Sequence, residues 1–166
     1  MISMKKTPHK IGFGFDSHSF SQKGILVLGG QKWKGYPALK GHSDGDAIVH
    51  AVIDALLGGA GLGDIGDYFP DSSSKWKGIS SLVLLKKILK KIKEAGWIPH
   101  HIDITVVCEK PRFSYKKKVM SHRLARTLGL SPLSFNIKAK TPEGLCLFQN
   151  GEGIAVWAVA TLTSIK

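Results

Sequence analysis

The sequence predicts an α+β fold: a two-layer sandwich whose mostly four-stranded mixed sheet carries its helices on one face, with a small hairpin beside it. Three observations lead there. Strand-like and helix-like segments alternate along the chain, which indicates helices packed on a sheet. From Ser80 to Ala95, Leu82, Leu85, Ile88, Leu89 and Ile92 recur at helical spacing with lysines between them. From Ile154 to Leu162 runs a β-branched and alanine-rich stretch, the longest of its kind. The length, 166 residues, suits one domain with a single core.

Taken in order, residues 1–9 read as a disordered tail and residues 10–166 as a single domain. Lys10 to Phe15 is strand-like and ends at Asp16. Ile25 to Leu28 leads into a Gly29-Gly30 turn, a hairpin signal. Ala47, Ala51, Val52, Ala55 and Leu56 mark a helix from Asp46 to about Gly58, with Gly58-Gly59 as its stop. Residues 60–78 hold clusters of Gly, Pro, Asp and Ser and read as a long loop, a length uncommon unless it has a task. The helix from Ser80 stops at Gly96. A buried strand follows at Ile102 to Cys108, then a turn near Pro111. Val119, Leu124 and Leu128 suggest a third helix. Phe135 to Ala139 and Ile154 to Leu162 complete the sheet.

Composition excludes several classes. No apolar run approaches the roughly 20 residues of a membrane span. MISMKKTPHK lacks the apolar stretch of a secretory signal, so a bacterial cytoplasm is the default compartment, although an acid-free basic start also fits a trimmed plastid-type leader. Two cysteines, Cys108 and Cys146, make neither a disulfide framework nor a CxxC zinc pattern. The net charge of +12 points to an anionic partner. Lys86, Lys87, Lys90, Lys91 and Lys93 lie on the polar side of a helix and read as a solvated face. No nucleic-acid motif accompanies Lys116, Lys117 and Lys118; only Phe113 and Tyr115 offer aromatic surface beside them.

Asp16 and His18 lie two apart at a strand end, so both side chains leave the same face. His50 lies one turn into the first long helix. One carboxylate and two imidazoles are a zinc-type donor set, and three protein ligands leave the fourth tetrahedral position open. Asp46, His50 and Asp54 follow one helical stripe, so Asp46 or Asp54 is expected to hold the second nitrogen of His50. Helix capping is the competing task for Asp46. Two further segments suit anionic ligands: GLGDIGDYFPDSS at Gly61 to Ser73, whose glycines let the backbone approach a ligand, and KAKTPEGLC at Lys138 to Cys146, with a hydroxyl, a carboxylate and two lysines. Neither matches a Walker A loop.

Together the segments IGFGFDSHSF, LKGHSDGDAIVHAVIDALLGGAGLGDIGDYFPDSS, DITVVCEKPR, NIKAKTPEGL and NGEGIAV resemble the 2-C-methyl-D-erythritol 2,4-cyclodiphosphate synthase family, over nearly everything from Lys10 onward. The resemblance implies a lyase of the non-mevalonate isoprenoid route that acts on a small cytidine diphosphate substrate and releases CMP. It implies Zn²⁺ on Asp16, His18 and His50, and Mg²⁺ or Mn²⁺ at the diphosphate with Glu143 as ligand. His42 and Thr141 are the implied catalytic groups. Asp16, Ser17, His18, His42 and Ser43 would meet substrate beside the metal. Asp64, Ile65, Gly66, Phe69, Pro70, Asp71, Ser72 and Ser73 would line the methylerythritol pocket. Cys108, Glu109, Lys110, Pro111, Arg112, Phe113 and Ser114 would form the cytidine pocket. Lys140, Thr141, Pro142 and Glu143, with Leu147 and Asn150, would meet the phosphates. It also implies a homotrimer with active sites between subunits, and neither a nucleic-acid nor a membrane partner. Asn150 stands where many members carry Arg, Pro142 where a polar residue is common, and Ser80 where an acid is frequent. Two other readings fit the same residues: a zinc phosphodiesterase, and a non-catalytic trimer that binds isoprenoid phosphates.

Overall fold

The computed structural model describes residues 9–114, 116–144 and 153–165. Four strands form one sheet: β1 (His9–Ser19), β4 (Trp97–Val107), β5 (Phe135–Lys140) and β6 (Gly153–Ser164). Their order is β1-β6-β4-β5, and β4 and β5 run parallel while the other pairs are antiparallel. The sheet is therefore mixed, as predicted. A separate hairpin joins β2 (Leu26–Leu28) to β3 (Gln31–Trp33). Both residues of its Gly29-Gly30 turn have positive φ, which side chains disfavour. The helices are α1 (Ala47–Ala60), α2 (Ile65–Tyr68), α3 (Ser81–Glu94) and α4 (Lys116–Leu128).

Period-two alternation splits the sheet into two unlike faces. Gly12, Gly14, Asp16 and His18 of β1 turn inward, with Ile154, Val156, Ala158, Ala160 and Leu162 of β6 and Ile102, Ile104 and Val106 of β4. The core lies between that face and the helices. Among the described residues no layer covers the outer face: Ile11 is 74% exposed and Phe13 63%, with Phe15 and Val159 beside them.

α1 is buried along nearly its whole length and lies very close to β1. A Cβ added at Gly12 would stand 1.8 Å from the Ala55 carbonyl oxygen, and one at Gly14 would stand 2.1 Å from that of Ala51. Bare backbone at these two positions is what brings the helix and its His50 onto the strand that carries Asp16 and His18.

Four boundaries depart from expectation, one being β4, which begins at Trp97 rather than Ile102 because β6 pairs with it from Ser164 onward. β1 begins at His9, inside the predicted tail, and continues through Asp16 to Ser19, because β6 supplies an unbroken partner from Thr163 to Gly153. α1 passes through Gly58-Gly59 and stops at Gly61, whose φ of 74° closes the helix with bonds to the Gly58 and Leu57 carbonyls. Gly59 packs on Gly12 instead of ending the helix. Residues 60–78 are not structureless: α2 and one 3₁₀ turn at Ser74–Trp76 lie within them.

Candidate active site

β1 and α1 deliver the metal set. Asp16 Oδ2 lies 2.9 Å from His18 Nε2 and 3.1 Å from His50 Nδ1. One ligand atom from each of the three residues falls within 4.8 Å of the others, and among the described residues this is the one such group of three. His18 Nε2 is buried and has no hydrogen-bond partner, since its approach to Asp16 is short but poorly directed. A buried ring nitrogen left without a donor, facing a carboxylate and a second imidazole, fits a cation at that point.

Burial pushes the Asp16 carboxyl upward, but the close polar contacts and charge of the adjacent His18 and His50 side chains outweigh it and hold it at about 2. The Asp16 carboxylate in turn raises His18 above the usual histidine range, against its burial. Asp16 is thus ionised at neutral pH and ready to ligate.

The expected partner of the second nitrogen of His50 is corrected. Asp46 accepts from the Val49 N–H at 3.2 Å, capping α1, and from the Gly29 and Gly30 N–H groups at 2.9 and 2.6 Å, tying the hairpin turn to the helix. Burial raises its carboxyl, and those backbone donors oppose the shift. Asp54 accepts from the Ile65 N–H at 2.8 Å at the start of α2. His50 Nε2 instead meets two hydroxyls, Ser43 Oγ and Ser81 Oγ, each at 2.9 Å.

The triad lies in the wall of a cavity of about 430 Å³. His42, Ser43, Ile65, Gly66, Phe69, Pro70 and Asp71 line it, joined by Gly41, Trp76 and Leu84, which the sequence reading did not name. Trp76, packed edge-on against Phe69 at 4.9 Å, was the one aromatic in its polar stretch and could have been noticed for that reason. Nε2 of His42 lies 2.8 Å from the Ser73 carbonyl, which can only accept, so His42 carries its proton on Nε2. Asp64 caps α2. Ser17 points to the outer face of β1, and Ser72 is exposed outside the cavity lining.

Cys108, Glu109, Pro111, Arg112, Phe113, Ser114, Lys140 and Thr141 line a second cavity of about 370 Å³, with Ala139 and Lys117. No residue lines both cavities. Cys108 is buried, and its thiol is pushed up to about 12 by that burial and by Glu109, so it does not serve as a nucleophile. Lys110 faces another depression beside Tyr36. Lys138 pairs with Asp103, which also accepts from Asn136 at 2.9 Å, so that lysine's charge is committed on the outer face. Glu143 has a φ of 50° and accepts from the Thr141 hydroxyl. Pro142 is buried next to them. Leu147 and Asn150 lie outside the described residues, as do Tyr115 and Cys146.

Comparison with known proteins agrees with this geometry. A family model described as the YgbB family matches residues 9–163. The "Bifunctional enzyme IspD/IspF" of Anaeromyxobacter sp. (strain Fw109-5) is 44% identical over 164 residues, covering 99% of this chain and 42% of the relative. The chain thus spans less than half the length of the bifunctional relatives it matches. The "2-C-methyl-D-erythritol 2,4-cyclodiphosphate synthase" of Brachyspira hyodysenteriae (strain ATCC 49526 / WA1) is 43% identical over 157 residues, covering 95% of this chain and 99% of the relative. Among solved structures, the bifunctional IspDF from Campylobacter jejuni superposes with a TM-score of 0.90 at 38% identity, over 96% of this chain and 43% of that one. A 2C-methyl-D-erythritol-2,4-cyclodiphosphate synthase in a "bound form CDP" gives 0.84 at 32% identity, over 92% of this chain and 99% of that one.

Proposed function

The chain belongs to the YgbB family, and from that premise we propose that it converts 4-diphosphocytidyl-2-C-methyl-D-erythritol 2-phosphate to 2-C-methyl-D-erythritol 2,4-cyclodiphosphate and CMP. The observation that carries this reading is the convergence of Asp16, His18 and His50 in the wall of a cavity faced by Ile65, Gly66, Phe69, Pro70 and Asp71. The names of full-length relatives that cover nearly the whole chain support it. That step belongs to the non-mevalonate isoprenoid route, in a bacterial cytoplasm.

In the reaction an oxygen of the 2-phosphate forms a bond to the β-phosphorus. The bond from that phosphorus to the bridging oxygen breaks, and its electron pair leaves on CMP. The nucleophile is already anionic, so the site needs no strong general base; it needs polyanions held in line with their charge offset. We assign Zn²⁺ to Asp16, His18 and His50, whose donor types suit it. Bound there, it supplies Lewis-acid stabilisation to a phosphoryl oxygen. Glu143 offers the hard oxygen that Mg²⁺ or Mn²⁺ prefers at the substrate diphosphate. His42 stands in the wall of the first cavity with Nε2 donating to Ser73, and Thr141, Lys140 and Arg112 bring hydroxyl and positive charge to the second one.

His42 and Thr141 line different cavities of one chain. Contact between neighbouring copies would let one site use both, and on that ground together with the family resemblance we assign a homotrimer with sites between subunits. The bare apolar face of the sheet is consistent with that assembly.

The test is a phosphorus NMR assay on the cytidyl diphosphate substrate, with and without chelator. CMP and a cyclic diphosphate should appear, vanish on chelation and return with zinc. Release of inorganic phosphate, or hydrolysis of simple diesters, would mark a phosphodiesterase and overturn the assignment.

A further inference from the structure

Behind His50, away from the cavity, lies a chain of hydrogen bonds that the proposed chemistry does not use. Ser81, the first residue of α3, is fully buried although polar. Its Oγ sits 2.9 Å from His50 Nε2 and donates to Asp44 Oδ1 in a short bond. The Ser81 backbone N–H donates to the other oxygen of the same carboxylate at 3.0 Å. Asp44 is held in turn by its own backbone, whose N–H donates to the Ile79 carbonyl at 3.1 Å.

Proton counting gives the chain a direction. A serine hydroxyl has one hydrogen, and Ser81 donates its own to Asp44. Towards His50 it can then only accept, so the hydrogen between them sits on His50 Nε2. The imidazole is thereby set as the Nε2–H tautomer, with the Nδ1 lone pair facing Asp16 Oδ2 at 3.1 Å. Ser43 also lies 2.9 Å from Nε2, but the one donor it meets is the Gly45 N–H at a long 3.5 Å. No carboxylate fixes its hydrogen, so Ser43 tolerates either tautomer while Ser81 tolerates one.

We propose that Ser81 and Asp44 are positioning residues, and that the Asp44-polarised hydroxyl of Ser81 holds His50 as the Nε2–H tautomer with Nδ1 aimed at the cation. The inference rests on the metal site proposed above. It extends the usual carboxylate–histidine–metal support by one hydroxyl. It also gives α3 a task beyond packing: the first residue of a helix some thirty positions downstream sets which nitrogen of His50 can ligate. Ser80, the cap residue of α3, makes no side-chain cap bond. Asp44 therefore serves two ends, receiving an N–H at the start of α3 and polarising the hydroxyl that orients His50.

The experiment uses the full chain, stripped of metal and titrated with Zn²⁺ against a chromogenic chelator. Nitrogen-15 correlation spectra of the His50 ring are recorded on the zinc-loaded proteins. Ser81→Ala and Asp44→Asn should each weaken zinc binding about 10- to 100-fold and broaden or lose the single Nε2–H signal. Ser81→Thr, which restores a hydroxyl at the same carbon, should recover most of both. If Ser81→Ala does not fold, the comparison of Asp44→Asn with Ser81→Thr decides the matter. Wild-type zinc affinity and an unchanged Nε2–H signal in the Asp44 variant would overturn the inference. Failure of the unaltered protein to bind zinc would instead overturn the metal site itself.

Discussion

Burial alone would favour the protonated form of Asp16, yet two imidazoles hold its carboxyl at about 2, against 3.8 for the free group. A lowered carboxyl contributes stability that is fully present above the unfolded value and is lost as pH falls through about 2. His18 behaves in the opposite sense. Its value is raised above 6.5, so its contribution is complete below that pH and is lost as pH rises through the folded value. In metal-free protein the pair should therefore stabilise most between about pH 4 and pH 6.5. After chelation, Asp16→Asn should melt below the unaltered protein at pH 6, by about 2–4 °C if the pair is worth about 1 kcal/mol. The gap should shrink by pH 9; a constant gap across that range would sink the claim. At this scale the shared face of Asp16 and His18 was legible in strand alternation, whereas the arrival of His50 from 34 residues beyond Asp16 was expected from its donor type and the family resemblance. The partner of His50 was not. Ser81 reaches it from 31 residues away, and no periodicity connects two segments separated by a loop.

Between β1 and α1 the fit depends on absent side chains. At Gly14 a methyl group would meet the Ala51 carbonyl oxygen, which belongs to the helix backbone and cannot swing aside. Gly14→Ala should cost about 1–3 kcal/mol by overpacking, and should also weaken zinc binding, since His50 adjoins Ala51. Gly58 offers the contrast: its nearest obstacle is 3.8 Å away, and its φ is not in the left-handed region. Gly58→Ala should be neutral or stabilising by up to about 1 kcal/mol. Thermal melts of the two variants check both; equal melting temperatures would contradict the packing argument. The same contact explains the misplaced stop of α1. Gly58-Gly59 has the look of a terminator, whereas Gly59 lets the helix touch Gly12, a pairing between residues 47 positions apart. The amphipathic stripe of α3 was readable because it faces one core and one solvent.

At the scale of the whole fold, the described residues clothe the sheet on one side only. Ile11, Phe13, Phe15 and Val159 stand on the bare side, and fully burying such side chains is worth about 1.5–3 kcal/mol each. Phe13→Glu should leave the single chain folded, since Phe13 is 63% exposed in it. Light scattering should then show the mass falling from a trimer to a monomer; an unchanged mass would remove the sheet face from the interface. Fold class could be read from alternating segments, but the order β1-β6-β4-β5 could not, because pairing across more than a hundred residues leaves no local trace. That order has a temporal consequence. Among the described residues β1 is an edge strand paired in the sheet with β6 alone, so residues 9–19 wait for residues 153–164 before their backbone is satisfied. All three residues of the Asp16, His18 and His50 cluster are translated by position 50, yet a nascent chain lacking β6 has no stable strand on which to set two of them. Assembly of that cluster is thus a late event in the life of each polypeptide, timed by the arrival of β6.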